Sequence, residues 1–124
     1  MRFDGKCVLI VDDELAVVEA LTEILAWEGL AVISAPNGVE GLRLLEVKRP
    51  EWLIADLMMP VMNGLELCKR VRALEWARNL PIVLISAAPA PSGVEPAPWN
   101  AFLRKPFDVE ALLRALEDAR RRAG

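Results

Sequence analysis

The sequence predicts an α/β fold in which a parallel β-sheet is covered by helices on both faces. Four apolar segments, at 7–11, 31–35, 52–56 and 82–86, are rich in Val, Ile and Leu and do not alternate cleanly with polar residues. This is typical of parallel strands buried on both faces. Segments with helical spacing lie between them, and a short fifth strand is predicted at 101–103. The order βαβαβαβ, an irregular stretch and a final βα unit favours a sheet with right-handed crossovers.

Four segments carry apolar residues at helical spacing: Val17–Leu25, Val39–Leu45, Leu67–Leu74 and Val109–Leu116. Gly29 is a natural end for the first helix, and Pro50 closes the second. Asp108 is the expected N-cap of the last helix, and the arginines at 120–122 lie at its C-terminal end, where the helix dipole favours positive charge.

The segment 87–100 interrupts this pattern. It contains four prolines and one glycine, and its longest internal stretch without proline is 92–95. Such a stretch is too short for a stable helix. The sequence therefore predicts that the fourth crossover helix is absent or reduced to a turn.

Bulk composition narrows the function classes. The 124 residues fit one domain spanning 1–124, and the net charge of −3 argues against direct nucleic-acid binding. No apolar stretch is long enough for a membrane span, and no signal-peptide core is present, so we expect a cytoplasmic chain without a membrane partner. Cys7 and Cys68 are interpreted as buried small hydrophobic residues. The absence of histidine removes the commonest general base and zinc ligand.

Polar groups follow the predicted strands at the points where they end. Asp12 and Asp13 follow the first strand, Asp56 ends the third, Ser86 ends the fourth, and Lys105 follows the fifth. In a parallel sheet these ends share one edge, where ligands bind. Three carboxylates, a hydroxyl and an ammonium group suit Mg²⁺ and a phosphoryl group.

Each of these groups has a simpler interpretation when taken alone. Asp12-Asp13 would serve as a helix cap, and Asp56 as a turn residue. Their joint placement with Ser86 and Lys105 favours a site. Asp56 runs directly into a loop that leaves it open, so it is our candidate nucleophile, forming an acyl phosphate.

Four strings, at residues 8–14, 56–64, 81–87 and 103–107, resemble the receiver domain of two-component response regulators. The resemblance extends from about Lys6 to Arg122 with all motifs in order. It implies a flavodoxin-like fold with strand order 2-1-3-4-5. It also implies a phosphorelay in which Asp56 accepts a phosphoryl group from a sensor histidine kinase or phosphotransfer protein, and then signals to a downstream effector that the sequence does not identify.

The same resemblance assigns roles to individual residues. Asp13 and Asp56 would bind Mg²⁺ directly, Asp12 through water, and Met58 through its backbone carbonyl. Lys105 would pair with the phosphoryl group and precede a cis peptide bond to Pro106. Ser86 would move towards the phosphoryl group on activation.

Two features depart from the family pattern. A rotamer switch coupled to Ser86 would use Phe102, which lacks a phenol hydroxyl; the alternative is a plain core phenylalanine. The proline-rich segment replaces the fourth helix, which in the family forms much of the output surface. We expect output through this segment, with an exposed Trp99, or through the last helix; the alternative is a segment without a signalling role.

Two other functions are alternatives to a phosphorylatable receiver. A pseudo-receiver would keep the fold and act by constitutive protein–protein interaction, and the missing helix is its best support. A phosphatase of the haloacid dehalogenase type would need a second aspartate two residues after the nucleophile, and Met58 stands there. We therefore expect no enzyme beyond self-catalysed phosphotransfer and autodephosphorylation.

Overall fold

The computed structural model describes residues 3–124, which contain a five-stranded parallel sheet. The strands are β1 (Cys7–Val11), β2 (Ala31–Ala35), β3 (Trp52–Asp56), β4 (Ile82–Ser86) and β5 (Ala101–Arg104). Their spatial order is β2-β1-β3-β4-β5, and each neighbouring pair is parallel. The predicted flavodoxin-like fold is confirmed, and β5 extends one residue beyond its predicted end.

Within residues 3–124, four α-helices connect and flank these strands: α1 (Leu15–Trp27), α2 (Gly38–Lys48), α3 (Gly64–Arg72) and α4 (Val109–Ala123). A short 3₁₀ helix follows α3 at Glu75–Ala77. Asn37, Asn63 and Asp108 cap α2, α3 and α4, each accepting a hydrogen bond from a backbone N–H three residues later. The predicted N-cap of the last helix is confirmed.

The sheet has a buried core on each face. Alternate strand residues point to opposite faces, so Ile10 and Ile54 pack towards α1 and α4, whereas Leu9 and Leu53 pack towards α2 and α3. All four side chains are fully buried. Because both faces are covered, the strands carry continuous apolar runs rather than alternating ones. Both cores end at the carboxyl edge of the sheet, where the polar residues begin.

The proline-rich segment, residues 87–100, contains no helix, as predicted. It crosses from the end of β4 to the start of β5. Trp99 is half-buried, not exposed as the sequence suggested, because its ring packs against Phe102 with 6.5 Å between the centroids. The aromatic pair covers part of the sheet face that a helix would otherwise cover.

The predicted burial of the two cysteines is confirmed for one of them and wrong for the other. Cys68 is fully buried, but Cys7 is only half-buried, because it lies at the open start of β1. Both are free thiols. Among residues 3–124, no helix has the length and apolar character needed to cross a bilayer.

Candidate functional site

Three aspartates meet at the carboxyl edge of the sheet. The pairing of β1 with β3 sets Val11 beside Ala55, so the residues that follow, Asp12 and Asp56, are also neighbours. Asp12, Asp13 and Asp56 each offer a carboxylate oxygen within 4.8 Å of the others. Asp12 and Asp56 are almost completely buried, at 1% and 3% exposure, whereas Asp13 is exposed. We call these three residues the acidic cluster.

Lys105 supplies the positive charge at this edge. Its Nζ lies 3.7 Å from Asp12 Oδ2 and 3.7 Å from Asp56 Oδ1. The Lys105 backbone N–H donates to the Ser86 carbonyl oxygen at 2.8 Å, which continues the β4–β5 ladder past the end of the sheet. The peptide bond from Lys105 to Pro106 is cis, as the resemblance implied. The backbone bond to Ser86 therefore places Lys105 at the same sheet edge as the buried carboxylates.

Ser86 is fully buried at the end of β4. Its Oγ accepts a hydrogen bond from the backbone N–H of Ala88 at 2.9 Å. The hydroxyl proton remains available for an oxygen acceptor, since the bond to Ala88 uses only a lone pair. β4 lies between β3 and β5, so Ser86 is at the same sheet edge as Asp56 and Lys105.

Burial sets the electrostatics of the acidic cluster. It raises the pKa of Asp12, although the Glu14 backbone N–H, 2.9 Å from Asp12 Oδ1, and the Lys105 ammonium oppose the rise. Burial is also the main cause of the raised pKa of Asp56; repulsion from Asp12 adds to it, and Lys105 opposes it. One lysine thus leaves the buried negative charge incompletely compensated.

The donor atoms fit a magnesium ion. Asp12 Oδ2 is buried and accepts no hydrogen bond from any described residue, although buried polar atoms normally have a partner. The acidic cluster offers only hard oxygen donors, which Mg²⁺ prefers, and one exposed member, Asp13, leaves an open side for water or phosphate oxygens. A divalent cation would compensate the charge that Lys105 leaves.

Gly64 is a site residue that the sequence did not single out. Its backbone N–H donates to the Leu57 carbonyl oxygen at 2.9 Å. A Cβ on Gly64 would press on the Asp56 carbonyl oxygen and lie 2.8 Å from the Leu57 Cα. The Asn63-Gly64 pair in the sequence marks the start of α3, but it gives no sign of this close approach to the nucleophile's backbone.

The remaining predicted residues lie beside the acidic cluster or away from it. Met58, two residues after Asp56, is 62% exposed, and a backbone hydrogen bond from it lowers the pKa of Asp56. Phe102 is half-buried on β5, paired in register with Leu84 and packed against Trp99. Its role as a switch stays a prediction.

Comparison with known proteins finds one family consistently. Residues 8–117 match the family model described as response regulator receiver domain. Response regulator MprA of Mycobacterium ulcerans is 37% identical over 119 residues, covering 93% of this chain and 50% of the relative. The chain thus spans about half the length of the curated relatives it matches.

Solved structures agree with this. The Vibrio cholerae chemotaxis protein CheY4 superimposes with a TM-score of 0.86 at 30% identity, covering 92% of this chain and 98% of that one. The signal receiver domain of a signal transduction histidine kinase from Syntrophus aciditrophicus gives a TM-score of 0.85 at 28% identity, covering 94% and 91%. These proteins therefore share the fold of this chain over more than nine tenths of its length.

Proposed function

The chain belongs to the response regulator receiver domain family, and on that premise we propose that Asp56 accepts a phosphoryl group from a phosphohistidine of a sensor histidine kinase or phosphotransfer protein. The supporting observation is the geometry around Asp56. Its carboxylate is buried at the end of β3, within 4.8 Å of two other carboxylates and 3.7 Å from the Lys105 ammonium. The family is a signalling family, so the product of this step is a signalling state.

The transfer forms one bond and breaks one. A carboxylate oxygen of Asp56 attacks the phosphorus atom, and the P–N bond to the donor imidazole breaks, so the electron pair leaves with the imidazole nitrogen. Magnesium, when bound, would neutralise charge on the attacking and transferred oxygens. The Lys105 ammonium, near Asp56 Oδ1, would stabilise negative charge on an equatorial phosphoryl oxygen.

The other polar residues at the carboxyl edge of the sheet would bind the cation and respond to the phosphoryl group on Asp56. Asp13 and Asp56 would bind Mg²⁺ directly, Asp12 through water, and Met58 through its backbone carbonyl. The Ser86 hydroxyl would donate its proton to a phosphoryl oxygen, since its present bond to Ala88 uses only a lone pair. That new bond would pull the end of β4 towards Asp56 and begin the conformational change.

The phosphoryl donor would dock on α1. An apolar groove of about 440 Å³ runs from Lys105 along α1, and Val17, Ala20 and Phe107 are among its lining residues. A donor histidine must come within bonding distance of Asp56, and this groove is apolar and begins at Lys105, so we place the partner surface against it. We expect an exposed charge at its centre, Ala20→Arg, to slow phosphorylation by a protein donor while leaving phosphorylation by acetyl phosphate unchanged. Equal slowing with both donors would contradict this docking face.

The proposed function is tested by intact-mass spectrometry after incubation with Mg²⁺ and acetyl phosphate. We expect one phosphoryl increment on the parent, none without Mg²⁺, and none on Asp56→Asn. Asp118→Asn, which changes a carboxylate on α4, is the matched control and should be labelled like the parent. No increment on the parent, with Mg²⁺ binding established by calorimetry, would overturn the proposal in favour of a pseudo-receiver.

A further inference from the structure

A second groove lies at the end of α3, where a crossover helix would stand if the proline-rich segment were helical. Its volume is about 520 Å³. It is lined by Lys69, Arg72 and Arg78 on one wall and by Val94, Pro96 and Pro98 on the other. We call it the basic groove. α3 begins at Gly64, beside Asp56, and its last residue, Arg72, lies about 12 Å from Gly64 along the helix axis.

The apolar wall of the basic groove is anchored at its Pro98 end. The Arg72 Nε donates to the Pro98 carbonyl oxygen at 2.9 Å, and its Nη2 donates to Asn100 Oδ1 at 2.8 Å. Asn100 Oδ1 also accepts from the backbone N–H of Ile82, at the start of β4. The end of the segment, at Pro98 and Asn100, is therefore tied to both α3 and the sheet, so this part of the groove is preformed when a ligand binds.

Positive charge in the basic groove is uncompensated. Lys69 and Arg78 are exposed, and neither has an ion-pair partner among residues 3–124. Arg70, on the same turn of α3, is by contrast paired with Glu66 at 3.1 Å. The helix dipole accounts for cations in the last turn of α3, but Arg78 lies beyond that helix. Three cations therefore face one groove in a chain whose net charge is −3.

Burial strengthens the field of the third cation. Arg72 is half-buried at the base of the groove, where its hydrogen-bond acceptors are neutral oxygens of Pro98, Ala77, Leu80 and Asn100. Charges near low-dielectric surface act more strongly than charges in open water. Glu95, the acidic residue of the facing segment, is exposed and does not line the groove. An anionic group would be attracted here.

We propose that the basic groove binds an acidic, partly apolar linear peptide segment of a partner protein. A cationic wall facing a wall of Val and Pro side chains matches a peptide with carboxylates on one side and apolar side chains on the other. Free phosphate would use the cations but leave the apolar wall exposed. The groove does not include Asp56, so the peptide site and the phosphorylation site are distinct places on the chain.

The test is a positional-scanning library of fluorescein-labelled hexapeptides, read by fluorescence anisotropy. We expect enrichment of Asp and Glu interleaved with apolar residues, and a selected peptide that saturates the parent. Lys69→Gln with Arg78→Gln should weaken that peptide at least tenfold. The matched control, Arg70→Gln with Arg43→Gln, removes two exposed cations outside the groove and should change affinity by less than twofold.

Three results would overturn the proposal. These are no enrichment of acidic peptides, equal weakening in the groove and control variants, and complete displacement of the peptide by millimolar inorganic phosphate. In the absence of Mg²⁺, Asp56→Asn should bind the selected peptide like the parent. A parent that binds the selected peptide but takes up no phosphoryl group would therefore count against the proposed function alone. A parent that is phosphorylated on Asp56 but binds no peptide would count against the basic groove alone.

Discussion

Replacing Arg72 with methionine should loosen the proline-rich segment from the rest of the fold. The guanidinium donates four hydrogen bonds, to the carbonyl oxygens of Pro98 at 2.9 Å, Ala77 at 3.0 Å and Leu80 at 2.8 Å, and to Asn100 Oδ1 at 2.8 Å. Methionine has a similar length and fills similar space, but it has no donor. The substitution therefore removes the hydrogen bonds while keeping most of the packing.

The magnitude follows from the number and kind of bonds lost. A hydrogen bond to a charged group contributes about 1.5–3 kcal/mol, and contributions within one network do not add. Because Arg72 is only half-buried, water will satisfy some of the freed oxygens. We therefore expect the free energy of unfolding to fall by about 4 kcal/mol in total, against about 5–15 kcal/mol for a typical domain. The melting temperature should fall by roughly 10–15 °C.

Urea unfolding followed by circular dichroism measures this loss. Arg70→Met is the matched control, because Arg70 is exposed and its ion pair with Glu66 is worth only about 0.3–0.5 kcal/mol. Arg72→Lys should lie between the parent and Arg72→Met, since one ammonium cannot reach all four oxygens. An ordinary substitution lowers the free energy of unfolding by about 1 kcal/mol. If the loss for Arg72→Met exceeds the loss for Arg70→Met by less than this amount, Arg72 does not anchor the segment.

Three further substitutions probe the β3–α3 region. In metal-free protein the folded state holds the Asp56 proton more tightly than the unfolded chain, because the folded pKa is raised. The free energy of unfolding of the metal-free protein should therefore fall as pH rises from about 4 through that raised pKa. Asp56→Asn should reduce this fall, and urea unfolding in EDTA at a series of pH values measures it. Val61 has φ +70° and is 97% exposed, so Val61→Gly should relieve backbone strain and raise stability by about 1 kcal/mol, seen as a higher thermal midpoint. Gly64→Ala should lower stability by about 1–3 kcal/mol and weaken Mg²⁺ binding in calorimetry, because its Cβ would press on the Asp56 carbonyl.

Each of these three predictions has a result that would contradict it. Superimposable pH profiles for the parent and Asp56→Asn would show that Asp56 has no raised pKa. Val61→Ala keeps a side chain at positive φ without β-branching, so a gain as large as that of Val61→Gly would show that the β-branch, and not the left-handed backbone, carries the strain. For Gly64→Ala, unchanged stability would show that the loop yields to a methyl group.

The strands and the site edge were predictable because both depend on local signals. Continuous apolar runs identify buried parallel strands, and a polar residue that ends such a run must lie at the shared edge. The sequence alone therefore places Asp12, Asp56 and Lys105 at one edge. The absence of a fourth helix followed in the same way from proline spacing.

Contacts between distant parts of the chain were not predictable. Trp99 is half-buried because its ring packs against Phe102 on β5. The residues next to Trp99 in the sequence do not indicate that this surface is available. The Arg72 hydrogen bonds join α3 to residues up to 28 positions away. Gly64 resembles an ordinary helix start in sequence, yet it is the point where α3 touches the backbone of Asp56. Such features depend on tertiary packing rather than on local pattern.

These long-range contacts give α3 a contact with each site. Its first residue, Gly64, touches the backbone of Asp56, and its last, Arg72, forms part of the basic groove. If α3 moves as a rigid element, Mg²⁺ at the acidic cluster and a peptide in the groove bias the same helix position. Linkage then requires that Mg²⁺ change peptide affinity by the same factor as the peptide changes Mg²⁺ affinity. We expect that factor to exceed about 5, the lower end of typical allosteric coupling, and calorimetry in both directions measures it. A factor of one in both titrations would mean that α3 carries no signal between the two sites.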